Sequence, residues 1–149
     1  MKYRTELFKE LSEAEKLEVA RQVKALVQHL NDRYEPDMPT PTVDEILTDD
    51  IVHPSLVAHR ALDRGRLVGI TLVRDSKLDG GRYISDVYVH PKYRRHGVAE
   101  TLVNRALEDA KNRGSKSVLL SVFSKNEPAS KLYEKLGFIP ASMHMKKEL

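Results

Sequence analysis

The chain contains no cysteine. That absence excludes disulfide bonds, thiolate metal sites and a cysteine nucleophile, and it fits an intracellular protein. No apolar run approaches the length of a membrane span, and the first residues lack the apolar core of a signal peptide. We therefore expect a cytoplasmic protein with no membrane partner.

Two motif classes are also missing. Neither G-x-G-x-x-G nor a Walker pattern occurs, which argues against a dinucleotide or nucleoside triphosphate site. The six histidines show no metal-ligand spacing, so we predict no metal site. His59 alternates with apolar residues in a predicted strand, where it either faces a ligand groove or is merely partly buried.

The charge is small overall but uneven along the chain. The net charge is +3. The length of 149 residues predicts a single domain over 1–149. From Lys92 onward lysine and arginine predominate, whereas residues 31–52 contain one base, Arg33, and seven acids. Those acids are Asp32, Glu35, Asp37, Asp44, Glu45, Asp49 and Asp50. The two regions are either solvated faces or two poles, one for a cationic ligand and one for an anionic ligand.

The hydrophobic pattern predicts a mixed α/β domain. The predicted helices cover residues 13–30, 43–48, 98–112 and 127–136, and the predicted strands cover 55–62, 66–74, 82–89, 117–123 and a last strand near 139–147. Ser12 with Glu15 forms a capping-box pattern at the start of the first helix. Asp63-Arg64-Gly65 predicts a hairpin turn between the first two strands.

The segment from Val89 to Ala99 has the features of an anion site. A strand leads through a short basic loop into a helix, whose first amides have no partner within the helix. Gly97 allows the backbone to approach a ligand closely. The amides of 95–99 could therefore bind a phosphate group, with added attraction from Lys92, Arg94 and Arg95. The alternative is an ordinary strand-to-helix turn with surface arginines.

A second segment runs from Asn126 to Phe138. Asn126 stands where a helix N-cap belongs, and Gly137 suits the C-terminal stop. Tyr133 shares the apolar face of this helix, so from spacing alone it is either a core residue or a functional one.

Together these segments resemble the GNAT superfamily of N-acetyltransferases. The motifs V-x-P-x-Y-R-x-x-G-V-A and N-x-x-A-x-x-x-Y-E-K-L-G-F occur in the family's order, and the resemblance extends over residues 82–140. It implies a mixed, mostly antiparallel sheet with splayed central strands and helices on both faces. It also implies acetyl-CoA as co-substrate and a primary amine as acceptor, either a cationic small molecule or a protein lysine or N-terminus.

The resemblance assigns roles to individual residues. The backbone of the loop would bind the CoA pyrophosphate, and the strand before it would pair with the pantetheine arm. Asn126 would hydrogen-bond the cofactor, and Tyr133 would lie beside the thioester sulfur and protonate the leaving thiolate. The implied cofactor-binding residues are Tyr88, Val89, Arg94, Arg95, His96, Gly97, Val98, Ala99, Asn126 and Tyr133.

The general base is less clear from the sequence. Many family members place a carboxylate on the strand that corresponds to 82–89. Ser85 and Asp86 are the neighbouring choices here, and strand alternation sends them to opposite faces. Asp86 is then the candidate base, or else a structural acid that caps a backbone amide. Glu35 and Asp37 are the predicted acceptor-binding acids, since this region borders the acceptor site in the family.

Two other function classes compete with an acetyltransferase. A non-catalytic acyl-CoA-binding module, acting as a sensor or regulatory subunit, is the alternative that an uncertain base leaves open. Nucleic-acid binding is disfavoured, because acids are interspersed among the C-terminal bases and no aromatic stacking platform is evident. The expected partners are acetyl-CoA and an amine, with a homodimer as an open possibility.

Overall fold

A computed structural model describes residues 1–50 and 53–149, except for the side chains of Asp49 and Asp50. In these residues, one five-stranded sheet carries helices on both faces. The strands are β1 (Lys2–Leu7), β2 (Val57–Asp63), β3 (Arg66–Asp75), β4 (Arg82–Val89) and β5 (Val118–Leu120). The helices are α1 (Glu13–Tyr34), α2 (Val43–Glu45, continued by a π-helical turn over Ile46–Asp50), α3 (Val98–Asn112) and α4 (Glu127–Lys135).

The strands follow one another across the sheet in chain order. The first four pair in antiparallel fashion, and β5 pairs with β4 in parallel. The β4–β5 pairing covers three positions, from Arg82 opposite Val118 to Ile84 opposite Leu120. The predicted mixed, mostly antiparallel sheet is therefore confirmed, and its last two strands separate beyond this short contact.

Helix α1 covers one face of the sheet. Its capping box forms as predicted, with the Ser12 hydroxyl accepting from the Glu15 amide and the Glu15 carboxylate accepting from the Ser12 amide. Val19, Ala20 and Val23 are buried against the apolar side chains of β3. The helix continues to Tyr34, four residues past its predicted end, which brings its C-terminus to the acidic region.

Helix α3 covers the opposite face, and its observed bounds match the prediction. Its buried residues are Val98, Leu102, Val103, Ala106 and Ala110. The start of the helix lies very close to β3, because a Cβ on Gly69 would stand 3.1 Å from Leu102 Cδ1 and 3.2 Å from the Tyr88 carbonyl oxygen. A glycine at this position thus lets the first turn of α3 reach the ends of β3 and β4.

The predicted last strand near 139–147 is wrong. Residues 139–149 form no regular structure, and the side chains of Ile139, Met143 and Met145 are more than 80% exposed. The alternation of Met143 and Met145 with polar residues indicated a strand, but a strand needs a partner edge. Pro140 cannot donate to a ladder, and β5 provides three paired residues rather than the predicted span of 117–123.

Candidate functional site

The gap between β4 and β5 exposes backbone groups of β4. The His90 amide donates to the Val68 carbonyl at 2.8 Å. This bond shows which residues of β4 direct their peptide groups towards β3. Since successive residues of an antiparallel ladder point their peptide groups alternately towards and away from the partner strand, those of Val87 and Val89 point away from β3. They therefore face the side on which β5 has separated, and they can pair with an extended ligand as an added strand does.

A β-bulge changes the face of the sheet on which the candidate base, Asp86, lies. Leu72 lies opposite Asp86 and Val73 lies opposite Ile84, so Ser85 is an extra residue in β4. Simple alternation does not hold across a bulge, so the face of Asp86 follows from its pairing with Leu72 and not from its spacing to Ser85. The Ser85 hydroxyl donates to Asp86 Oδ2 at 2.7 Å, and Asp86 shares with Leu72 the face that α1 covers.

Two hydrogen bonds that involve side chains hold the first turn of the loop after β4. Pro91–Tyr93 form a 3₁₀ turn, and the ring of His90 accepts a hydrogen bond from the Lys92 amide at 3.2 Å. The Tyr93 hydroxyl donates to Asp63 Oδ2 at 2.8 Å, which ties the loop to the β2–β3 hairpin. This bond to a carboxylate raises the pKa of the Tyr93 phenol.

The loop ends in a left-handed backbone that starts α3. Gly97 has φ 76° and Arg95 has φ 62°, the latter a conformation that side chains rarely adopt. Gly97 has no side chain to cap the helix, so the amides of Val98, Ala99 and Glu100 are available to an anion. Of the amides 95–99 that the sequence predicts as an anion site, those of Val98 and Ala99 lie in the first turn of α3. The nearby carboxylate of Glu100 is paired with Lys135 Nζ at 2.9 Å.

Arg94 is directed towards β4. Its Nε donates to the Val89 carbonyl at 2.8 Å, and its guanidinium carbon lies 5.7 Å from the ring centre of Tyr88. The sequence indicated a charge that attracts phosphate and gave no sign of this backbone contact.

Helix α4 packs beside the gap on the α3 face. Asn126 is its N-cap, as predicted, with Oδ1 accepting from the Ala129 amide at 3.3 Å. Tyr133 packs on the cluster that contains Ile84 and Val103, edge-on to Phe138. Burial raises the pKa of the Tyr133 phenol to about 12, so this group is protonated at neutral pH.

The acidic region lies at the same end of the molecule. Tyr34, the last residue of α1, stacks on Phe123, which follows β5, with 4.9 Å between ring centres. This stack, which sequence reasoning missed, brings the end of α1 beside the gap. Glu35 and Asp37 come directly after it, whereas the side chains of Asp49 and Asp50 lie outside the described part.

His59 does not belong to this site. It is fully buried on the face that α3 covers, with Nδ1 3.0 Å from the Thr5 hydroxyl. Burial lowers its pKa to about 4, and nearby arginine charges add to that shift. The groove-facing alternative is thereby wrong, and the residue is a neutral core histidine.

Across residues 1–50 and 53–149, no helix combines the length and apolarity that membrane crossing needs. Within the same part of the chain, no three His, Asp or Glu side chains converge as metal ligands would.

Comparison with known proteins identifies the family. A family model described as the acetyltransferase (GNAT) family matches residues 23–138. The chain belongs to this family. Its pairing gap and its helix N-terminus are therefore parts of a GNAT domain.

Individual relatives show how far the likeness extends. N-alpha-acetyltransferase 30 of Schizosaccharomyces pombe is 33% identical over 81 residues, which cover 52% of this chain and 54% of that protein. Thialysine N-epsilon-acetyltransferase of Mus musculus is 36% identical over 55 residues, which cover 37% of this chain and 32% of that protein. These matches thus span a third to about half of the curated relatives.

The fold is shared over the whole chain. A ribosomal-protein-alanine N-acetyltransferase structure from Brucella melitensis biovar Abortus 2308 matches with a TM-score of 0.72 and 20% sequence identity. The match covers 99% of each chain. At this identity the likeness concerns the fold alone.

The buried His59 predicts acid sensitivity of stability. The unfolded chain protonates this histidine near pH 6.5 and the folded chain only near pH 4, so stability falls as the pH drops through that window. The loss is about 3 kcal/mol, at about 1.4 kcal/mol per pH step. Urea unfolding at pH 7, 5.5 and 4 measures it.

In that experiment His59→Gln retains a polar partner for Thr5 and cannot titrate, so its free energy of unfolding should lose that part of the pH dependence. The exposed His144 provides the control, and His144→Gln should behave like the wild type. An unchanged pH dependence in His59→Gln would show that other groups cause it.

Proposed function

We propose that this protein is an acetyl-CoA-dependent N-acetyltransferase that transfers an acetyl group to a primary amine. The observation that carries the proposal is the gap beside Val87 and Val89, which opens at the start of α3. One ligand can then place an extended amide-bearing arm along β4 and a phosphate at the helix N-terminus. The names of the relatives, an N-alpha- and an N-epsilon-acetyltransferase, support an amine acceptor.

The described residues fit acetyl-CoA. The left-handed backbone at Arg95 and Gly97 turns the loop so that the first amides of α3 can meet the pyrophosphate. Lys92, Arg94 and His96 are exposed on this loop and add to its positive field. When bound, acetyl-CoA would supply the activated acetyl group, and Asn126 at the start of α4 would hydrogen-bond its arm.

The amine must lose a proton before it can attack. A lysine-like ammonium has a pKa of about 10.4 in solution, and an acidic groove favours the charged form further. Asp86 is the proposed base, because the bulge places it on the α1 face, the face of the helix that leads to Glu35 and Asp37. Proton transfer would proceed directly or through one water.

Two further groups act on the thioester. The Val89 amide points into the gap and would donate to the carbonyl oxygen as negative charge develops there. The amine nitrogen forms its bond to the acetyl carbon, the carbon–sulfur bond breaks, and the sulfur leaves as a thiolate that takes its proton from water. With a pKa of about 12, the Tyr133 phenol is a weak acid for a thiolate. It therefore stabilises the leaving sulfur mainly as a hydrogen-bond donor.

The acceptor is proposed to be cationic. Glu35 and Asp37 follow Tyr34 in the chain, and the ring of Tyr34 stacks on Phe123 beside the gap. Their negative charge already acts on a cation, since it helps Glu148 to raise the pKa of Lys146. Both a cationic small molecule and a protein lysine or N-terminus meet this requirement. A homodimer and a cytoplasmic location stay predictions from the sequence.

Removal of the Tyr133 hydroxyl tests the transfer reaction. We expect Tyr133→Phe to lower kcat by about tenfold, the value of one hydrogen bond to developing charge, and to leave the Kd of acetyl-CoA unchanged. Free-CoA release with a panel of amines measures turnover, and calorimetry measures binding. Binding of acetyl-CoA by the wild type without turnover on any amine would favour a non-catalytic acyl-CoA module instead.

Neutralisation of the acidic pair tests the acceptor site. The variant Glu35→Gln with Asp37→Asn should raise KM for a cationic amine by about three- to tenfold, since exposed charges each contribute modestly. The KM for acetyl-CoA should stay the same. Glu13→Gln removes an exposed acid from the other end of α1 and is the matched control. Equal KM values in all three proteins would refute the acidic acceptor site.

A further inference from the structure

Arg94 holds a backbone group that the proposed ligand needs. Its Nε donates to the Val89 carbonyl at 2.8 Å. Because the peptide groups of Val89 face away from β3, this carbonyl belongs to the open side of the gap. A side chain of the anion loop thus occupies the position that an amide of an extended ligand would take.

The remaining contacts of Arg94 show where its side chain lies. The guanidinium carbon is 5.7 Å from the ring centre of Tyr88, on the face that α1 covers. The charge of Arg94 also reaches His29 of α1, where it adds to burial and to Arg33 in lowering the histidine pKa. The guanidinium therefore lies between α1 and the end of β4, at the mouth of the gap.

The start of α3 follows Arg94 closely in the chain. Arg94 immediately precedes Arg95, the first residue of the left-handed turn that leads into α3. A phosphate carries a full negative charge and can accept two parallel hydrogen bonds from a guanidinium, whereas the neutral Val89 carbonyl accepts one bond from Nε. A phosphate at the helix N-terminus would therefore compete successfully with the Val89 carbonyl for this side chain.

We propose that Arg94 is a specificity-determining residue that couples phosphate recognition to access to β4. Without a phosphate, the Arg94 side chain is hydrogen-bonded to the Val89 carbonyl, and this bond disfavours the binding of an acyl carrier in the gap. A carrier that bears phosphates draws the guanidinium away and frees the carbonyl for its own arm. The protein thereby discriminates against acyl-pantetheine carriers that lack the phosphate groups. This inference rests on the proposed function, because it assumes that the acyl carrier lies along β4.

Two ligands that differ only in the phosphate-bearing part test the inference. Acetyl-CoA and S-acetylpantetheine share the arm and the thioester, and calorimetry gives a Kd for each. Arg94→Met keeps an unbranched stem over Tyr88 and removes the guanidinium. We expect it to bind S-acetylpantetheine about fivefold more tightly than the wild type and acetyl-CoA about tenfold more weakly.

A lower Kd for S-acetylpantetheine together with a higher Kd for acetyl-CoA in Arg94→Met supports the inference. Weakening of both, no change in either, or no binding of S-acetylpantetheine to Arg94→Met would overturn it. Lys92→Met is the matched control, since it removes one charge from the same exposed loop. It should weaken the binding of acetyl-CoA and leave the binding of S-acetylpantetheine unchanged. Failure of the wild type to bind acetyl-CoA would instead refute the proposed function.

A measurement on the wild-type protein makes the test independent of any variant. Inorganic pyrophosphate at the start of α3 should draw Arg94 from the Val89 carbonyl. Saturating pyrophosphate should then lower the Kd of S-acetylpantetheine about threefold in the wild type and leave it unchanged in Arg94→Met. Unchanged or weaker binding in the wild type would contradict the coupling.

Discussion

The separation of β4 from β5 after Ile84 is the constraint on which the rest of the site depends. Three paired positions hold the two strands together, and the bulge at Ser85 follows immediately on β4. Continued pairing would consume the peptide groups of Val87 and Val89 within the sheet. The separation leaves them facing a gap, and α3 begins where that gap opens.

The close contact at Gly69 fixes the position of that helix start. With Leu102 and Val98 packed against the glycine, the first turn of α3 lies at the end of β4. The amides that suit a phosphate and the strand edge that suits an amide-bearing arm are thereby held as one unit. Such a rigid arrangement can orient a long ligand before reaction, which is a large part of what the proposed catalyst must provide.

The two faces of the sheet supply different chemistry. Asp86 lies on the α1 face, together with the helix that leads to the acceptor acids, whereas Tyr133 lies with α4 on the α3 face. A carboxylate that can accept a proton and a phenol with a pKa of about 12 therefore approach the gap from opposite sides. This division suits a reaction in which a proton leaves the attacking nitrogen while negative charge develops on the departing sulfur.

Sequence reasoning succeeded where local rules determine structure. The bounds of α3, the capping box of α1 and the turn at Gly97 follow from periodicity, side-chain caps and glycine conformation, all of which are local. The position of Asp86 could not be predicted, because a bulge depends on the register between two strands. The bond from Arg94 to Val89 and the stack of Tyr34 on Phe123 were also missed, since both are tertiary contacts.

The tail shows the converse error. Alternation at Met143 and Met145 satisfied the local rule for a strand, but β5 offers a short edge and no pairing forms along residues 139–149. Local pattern was here insufficient evidence for a long-range partner.

We propose that one ligand binds both the open backbone of β4 and the start of α3. Backbone amide chemical shifts of the ¹⁵N-labelled protein, recorded during titration with CoA, test this proposal. The amides of Val87, Val89 and 95–99 are expected to shift together along one saturation curve. Shifts confined to other parts of the sheet, or no shifts in these amides at saturating CoA, would contradict it.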